Sequence, residues 1–281
     1  MKKVFCKIVS IVIALLICFN IGQASFASDN NYIEKSGVLL AKIPSSKVDG
    51  KIQLVGKTDK DKIKILMKKD NVQRWFDIKL DQGNFLEELW LTDGKGSYTL
   101  SIMVHVKDRQ YIYGPEISVN NTSEPNKYLV PSKHVESNDA SIIKLAEEIT
   151  MEKTSDTDKA QAIYQWVVDN IQYDYDKLLK QDNQDYSSLY GAVNTLHTKK
   201  GVCYDYAALT AALGRAIGLQ VKVVKGQGIT DVFKGLHAWN EVYISEDNKW
   251  IPLDTTFAAT SKKDYFANKE FDKDHIKEDE Y

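Results

Sequence analysis

Cysteine is scarce in this 281-residue chain: there are three, and two of them, Cys6 and Cys18, sit close to the N-terminus. That supply does not build a disulfide scaffold. Basic residues are not in excess either, with a formal net charge of −2 at pH 7. Without a basic stripe, nucleic acid is not an expected partner. Long apolar runs are missing as well. The longest, Ile8 to Phe19, spans about 12 residues, short of the roughly 20 needed to cross a bilayer. No close ligand pair of the C-x-x-C or H-x-x-x-H kind occurs, so neither a metal nor a cofactor is expected. No internal repeat is visible.

What is there begins with an export pattern. Lys2, Lys3 and Lys7 precede the apolar run, and Ser25-Phe26-Ala27 places small residues at alternate positions. The three regions match a secretory signal cleaved after Ala27, occupying residues 1–27, with a retained anchor as the alternative. Cys18 is a poor lipidation site because bulky Ile17 precedes it. The expectation is a secreted or cell-surface protein without stable membrane insertion after signal removal. Cleavage would remove Cys6 and Cys18 and leave Cys203 as a lone thiol. In an oxidising compartment such a thiol is a candidate for chemistry, although isolated cysteines also serve as small core hydrophobes.

Residues 32–120 read as an antiparallel β-sandwich of Ig-like kind. Short alternating runs such as Ile52-Gln53-Leu54-Val55 and Tyr98 to Val106 are cut by turn residues such as Asp49-Gly50 and Asp93-Gly94. His105 falls on such a strand and reads as structural. A polar connection follows from Asn120 to Pro131. The period then becomes helical, and residues 132–272 read as an α+β domain. Ile142, Leu145, Ala146 and Ile149 form one stripe. A second opens at Ser155, with Asp158 placed as in a capping box. Residues 174–188 read as a surface loop. A third helix starts at Cys203 and ends at Gly218. Strands follow at Val221–Val224, Ala238–Ile244 and Trp250–Leu253, the last two joined as a hairpin. The charged stretch Asp272 to Tyr281 reads as a solvated tail.

A cysteine nucleophile works as the thiolate, which a helix N-terminus and a neighbouring imidazolium both favour. Cys203 follows Gly201 at the start of a helix, where free backbone N–H groups could also hold an oxyanion. His237 and Asp254 lie on neighbouring strands. If that hairpin packs on the helix, the acid would fix the imidazole and stabilise its charged form. Taken singly, His237 could be a core histidine and Asp254 the cap of a turn. Asp205 reads as a solvated first-turn acid, Arg215 as a structural or surface charge, and Trp239 and Trp250 as core aromatics. His134, His197 and His275 show no partner pattern.

Four blocks, in order, resemble the transglutaminase-like superfamily: Gly201-Val202-Cys203-Tyr204-Asp205-Tyr206-Ala207, Leu213 to Leu219, His237-Ala238-Trp239-Asn240-Glu241-Val242, and Trp250 to Thr256. The upstream stretch from Trp166 to Asp174 is similar too, so the likeness covers roughly residues 138 to 270. It implies a papain-like core and amide chemistry through a thioester. By that likeness Cys203 is the nucleophile, His237 the base and acid, and Asp254 the orienting carboxylate. Tyr190 is the candidate side-chain donor to the oxyanion. The calcium loops of large animal transglutaminases have no counterpart, so no metal requirement is implied. The implied substrate is a protein or peptide, at the cell surface or wall. Rival readings are a cysteine peptidase on the same triad and a non-catalytic surface-binding or adhesion protein.

Overall fold

The computed structural model describes residues 31–185, 188–261 and 263–281. The export segment ending at Ala27 lies outside the described residues.

Nine strands come first: β1 (Tyr32–Lys35), β2 (Val38–Ala41), β3 (Lys47–Val48), β4 (Lys51–Thr58), β5 (Ile63–Lys69), β6 (Val72–Asp77), β7 (Asn84–Trp90), β8 (Gly96–Lys107) and β9 (Gln110–Asn121). They form two sheets, ordered β1-β2-β4-β7 and β3-β9-β8-β5-β6. All pairs are antiparallel except the short β3, which runs parallel to β9. In β4 burial alternates residue by residue, so Ile52 and Leu54 enter the core while Gln53 and Val55 face out. Leu40, Ile65, Tyr98 and Ile102 from both sheets meet in one apolar core. Asn121 closes this unit. Its Oδ1 accepts the Gly50 N–H at 2.8 Å, and its Nδ2 donates to the carbonyls of Leu91, Gly94 and Ser123.

A second core belongs to the mixed α+β part. Its elements are α1 (Ala140–Thr150), α2 (Asp156–Asn170), β10 (Gln172–Tyr173), α3 (Tyr175–Asp182), α4 (Ala192–Thr198), β11 (Lys200–Gly201) and α5 (Cys203–Ala216). Then come β12 (Val221–Ile229), β13 (Lys234–Ile244), β14 (Lys249–Leu253), α6 (Thr255–Ser261), α7 (Phe271–Asp274) and β15 (His275–Glu280). The expected cap on α2 is present, with Ser155 Oγ accepting the Asp158 N–H at 3.0 Å. Helix α5 is buried almost all round, and its alanines at 207, 208, 211 and 212 let neighbours approach closely. It packs against α1, α2 and α4 on one side and β12 and β13 on the other. Gly218, at φ +84°, ends it.

Two sequence expectations are corrected. The span 174–188 is not simply a loop, because α3 occupies its first half, capped by Asp174 Oδ1 on the Lys177 N–H at 2.9 Å. Only Lys177 of that helix is buried, so its composition is that of a surface segment. Nor is Asp272 to Tyr281 a solvated tail. It forms the end of α7 and then β15, the edge strand of the sheet ordered β14-β13-β12-β15. This part of the chain therefore continues as ordered structure past residue 272 to Tyr281, whose N–H and C=O both bond Val223.

The close approach of β15 depends on Gly226 in β12. A Cβ there would stand 2.0 Å from the Ile276 carbonyl oxygen. That is backbone and cannot swing aside. Gly226→Ala is expected to destabilise the protein by about 1–3 kcal/mol and to speed amide exchange in residues 275–280. Denaturant midpoints and exchange rates read by mass spectrometry check it.

Candidate active site

Cys203 is the first residue of α5 and half-buried, so solvent reaches the helix mouth where the thiol sits. Its approach strand is fixed by β11, which pairs in parallel with β10, Tyr173 opposite Gly201. Gly201 has no left-handed φ; its service is space, since a Cβ would lie 2.5 Å from the Asp205 Cβ. Asp205, expected as a solvated acid, is fully buried instead. Its Oδ2 accepts from the Val202 N–H at 2.9 Å and from Lys177 Nζ at 2.6 Å, and its Oδ1 accepts the Gly191 N–H at 3.2 Å. Lys177 also donates to the Leu189 carbonyl at 2.6 Å. Nothing in the sequence pairs these residues, because α3 itself is not legible there. Together they lock the first turn of α5 to α3 and to the segment before α4.

His237 lies on β13 and is buried. Its Nε2 meets Asp254 Oδ2 at 2.6 Å, and Cys203 acts electrostatically on the same ring. Phe257 stacks on the ring with centroids 4.1 Å apart. Gly228 leaves room for both, since a Cβ there would come within 2.8 Å of Phe257 and 3.0 Å of His237. Asn240, three residues further along β13, ties this strand to α5. Its Nδ2 donates to the Ala207 carbonyl at 3.0 Å and to the Lys222 carbonyl at 2.9 Å.

Asp254 follows β14 and is fully buried. Its Oδ1 accepts the Thr256 and Phe257 N–H groups at 2.8 and 2.9 Å, so it is the cap of α6 as well as the partner of His237. Asp254 thus caps a turn and bonds His237 at once. His275, which had no partner in the sequence, places Nε2 at 2.9 Å from Asp254 Oδ2. Arg215 is a structural charge, buried and donating to the carbonyls of Val130, Val221 and Tyr281. Trp239 is a core aromatic beside the site, with His275 edge-on at 4.8 Å.

Tyr190 has its hydroxyl bonded by Gln181 Nε2 at 2.8 Å and its ring over Lys177 Nζ at 3.9 Å. The tyrosine coupled to Cys203 is Tyr173, whose hydroxyl is pushed well above its ordinary value by burial and then by the Cys203 charge. The β10–β11 pairing that puts it there is two residues long.

Residues 143–255, which contain Cys203, His237 and Asp254, match the description of the transglutaminase-like superfamily. This part of the chain belongs to that superfamily. The transglutaminase-like domain is similar to the mouse (Mus musculus) kyphoscoliosis peptidase, at 28% identity over 142 residues, covering 45% of this chain and 20% of that protein. The chain thus spans about a fifth of the length of that relative. An uncharacterized protein from Haemophilus influenzae is 24% identical over 200 residues, covering 60% of this chain and 52% of that one. Among solved structures, a TGase is 25% identical with a TM-score of 0.36, over 57% of this chain and 46% of that chain.

In the transglutaminase-like domain the nitrogens of His237 and His275 and the Asp254 oxygen lie within 4.8 Å of one another, a spacing that three metal ligands could share. Both nitrogens are spent on hydrogen bonds to the carboxylate, and a ring nitrogen that carries hydrogen does not ligate. The group is better described as a hydrogen-bonded cluster. Burial alone would push the His237 imidazolium down. The Asp254 carboxylate overrides it, with a contribution from Cys203, and raises the ring from 6.5 to about 10. Burial also opposes the Asp254 anion, and His237 and His275 override that, holding the carboxyl well below its usual 3.8.

These opposite shifts define a window. The raised His237 contributes stability that is complete below 6.5 and fades as pH climbs toward 10, whereas the lowered Asp254 contributes stability that fades as pH drops below 3.8. Between about pH 5 and pH 10 the wild type should therefore lose several kcal/mol more stability than His237→Gln does. Urea denaturation of both proteins across that range checks it.

Proposed function

We propose that this chain is a thiol acyltransferase or hydrolase acting on carboxamide or peptide bonds of proteins, with Cys203 as nucleophile, His237 as base and acid, and Asp254 as the orienting carboxylate. What supports this reading is the position of His237, with Nε2 on the Asp254 carboxylate and its ring within electrostatic reach of the half-buried Cys203 at a helix N-terminus. The imidazolium favours the thiolate, as does the positive end of α5.

The thiolate sulfur attacks the carbonyl carbon, and the C=O pair moves onto oxygen. N–H groups at the start of α5 and the hydroxyl of Tyr190 or of Tyr173 are the donors proposed for that oxyanion. As the tetrahedral species collapses, the C–N bond breaks and His237 gives its proton to the leaving nitrogen. A thioester remains. An amine or water then attacks it while His237 takes a proton, and the C–S bond breaks to restore the thiol. An amine acceptor makes the enzyme a transferase, and water makes it a deamidase or a peptidase.

The proposal extends to the whole chain. The N-terminal segment directs export and is cleaved after Ala27, and the substrate is a protein or peptide at the cell surface. Residues 32–120 form an Ig-like sandwich that positions the domain beginning near residue 132. The sandwich also keeps open a reading as a surface-binding protein, which an unreactive Cys203 would favour.

The transferase or hydrolase reading is tested by iodoacetamide. Cys203 is expected to alkylate near neutral pH far faster than a free peptide thiol, and equal rates would overturn the reading. Cys203→Ala and His237→Ala should each abolish turnover, by about 10⁴-fold or more, while the fold stays cooperative. Ammonia release with incorporation of a fluorescent primary amine marks the transferase, and new N-termini mark the peptidase.

A further inference from the structure

We propose that His275 is a positioning residue of the thiol site, a second imidazole that shares the Asp254 carboxylate with His237 and so sets how firmly His237 keeps its proton. The assignment deepens the acyl-transfer reading and rests on it for its catalytic consequence. His275 lies outside the segment matched to the superfamily, on a strand that contributes none of the three other residues.

Asp254 Oδ1 is occupied by two N–H groups of α6, so Oδ2 alone serves both rings, at 2.6 Å from His237 and 2.9 Å from His275. The far side of His275 is anchored too, with Nδ1 at 2.9 Å from the Phe271 carbonyl. Carboxylate and carbonyl oxygens accept and never donate. Both bonds therefore form together only when both ring nitrogens carry hydrogen. The ring is held flat against Phe271, centroids 3.8 Å apart. Stacking on Phe271 would suit any aromatic ring and does not require a histidine there. The hydrogen bonds do.

The groups facing His275 come from every neighbouring element. Asp254 stands at the β14–α6 junction, and His237 on β13 is 5.7 Å away between ring centroids. Tyr265 is 6.0 Å away, its hydroxyl donating to Asp274 of α7. Opposite His275 on β12 is Gly228, which carries no charge. Asp254 is thus the sole carboxylate bonded to His275, and His237 competes for the same oxygen.

Each donor on one carboxylate oxygen weakens that oxygen's pull on the other. Without His275, Oδ2 would turn wholly to His237, and His237 would hold its proton to higher pH. In the acyl-transfer reading that proton must pass to the leaving nitrogen, so a ring that holds it too firmly slows turnover.

The test uses the full chain and follows iodoacetamide alkylation of Cys203 against pH in the wild type, His275→Phe and His275→Gln. The phenylalanine keeps the stacking and loses the donor, whereas the glutamine keeps a donor. The alkaline limb, where His237 gives up its proton, should move up by about one pH unit in His275→Phe and stay near wild type in His275→Gln. A folded His275→Phe protein whose alkaline limb coincides with the wild type overturns the proposal. Should that variant not fold, NMR of ¹⁵N-labelled histidine in the wild type decides: hydrogen on both His275 nitrogens supports the assignment, and a bare nitrogen toward Asp254 overturns it. A wild-type thiol no faster than a peptide thiol would remove the acyl-transfer reading alone. NMR titration of His237 in the wild type and His275→Phe would still test the shared oxygen, since His237 holding its proton to higher pH in the variant supports it and an unchanged titration overturns it.

Discussion

A single buried carboxylate holds the α+β half together. Asp254 is fully withdrawn from water and accepts four hydrogen bonds, two from the first turn of α6 and one from each of two imidazoles. A charge in such a place is tolerable only when its lone pairs are matched. Matching them draws the end of β14, the start of α6, the middle of β13 and the first residue of β15 to one point. The geometry of the thiol site is a by-product of solvating that anion with protein.

A second buried acid performs the same service for the nucleophile. Asp205 sits in the first turn of α5 and takes the N–H of Val202, the N–H of Gly191 and the Lys177 ammonium. It binds the segments around Cys203 without being bonded to Asp254. Asn240 is the brace between the two, joining α5 to β12 and β13 through two carbonyls. The helix that offers the sulfur and the sheet that offers the imidazole are therefore anchored separately and then pinned to each other. On the outer face of the sheet, Lys222 and Lys277 each pair with both Glu241 and Glu280, fastening β15 across β12 to β13. These partly buried pairs keep the edge strand charged, which discourages pairing with other chains.

Much of this was legible in the residues, and the exceptions have physical causes. Cys203, His237 and Asp254 stand in sequence blocks whose surroundings carry helical and strand periodicities, so both their types and their elements could be read. His275 could not be read. Its strand buries little beyond its first residue, and the run Lys277-Glu278-Asp279-Glu280 is exposed, so an edge strand has the composition of a tail. The same holds for α3, in which Lys177 is the lone buried residue. The charge of Asp205 suggested solvent because an acid early in a helix is usually served by the helix dipole in water; the Lys177 partner that buries it comes from a helix the pattern did not disclose. The constraint on Gly201, room for the Asp205 side chain, was not legible either. In each case the missing information was a long-range contact that local periodicity does not encode.

The order of the elements along the chain has a bearing on synthesis. The ribosome delivers the sulfur first, the imidazole of β13 next, the carboxylate after that, and the imidazole of β15 last. A nascent polypeptide that has emerged only through α6 has every member of the three-residue set, yet its carboxylate lacks one of its four bonds and β12 has an open flank. Assembly of the four-residue cluster is thereby deferred until β15 has emerged and docks along the two glycines of β12.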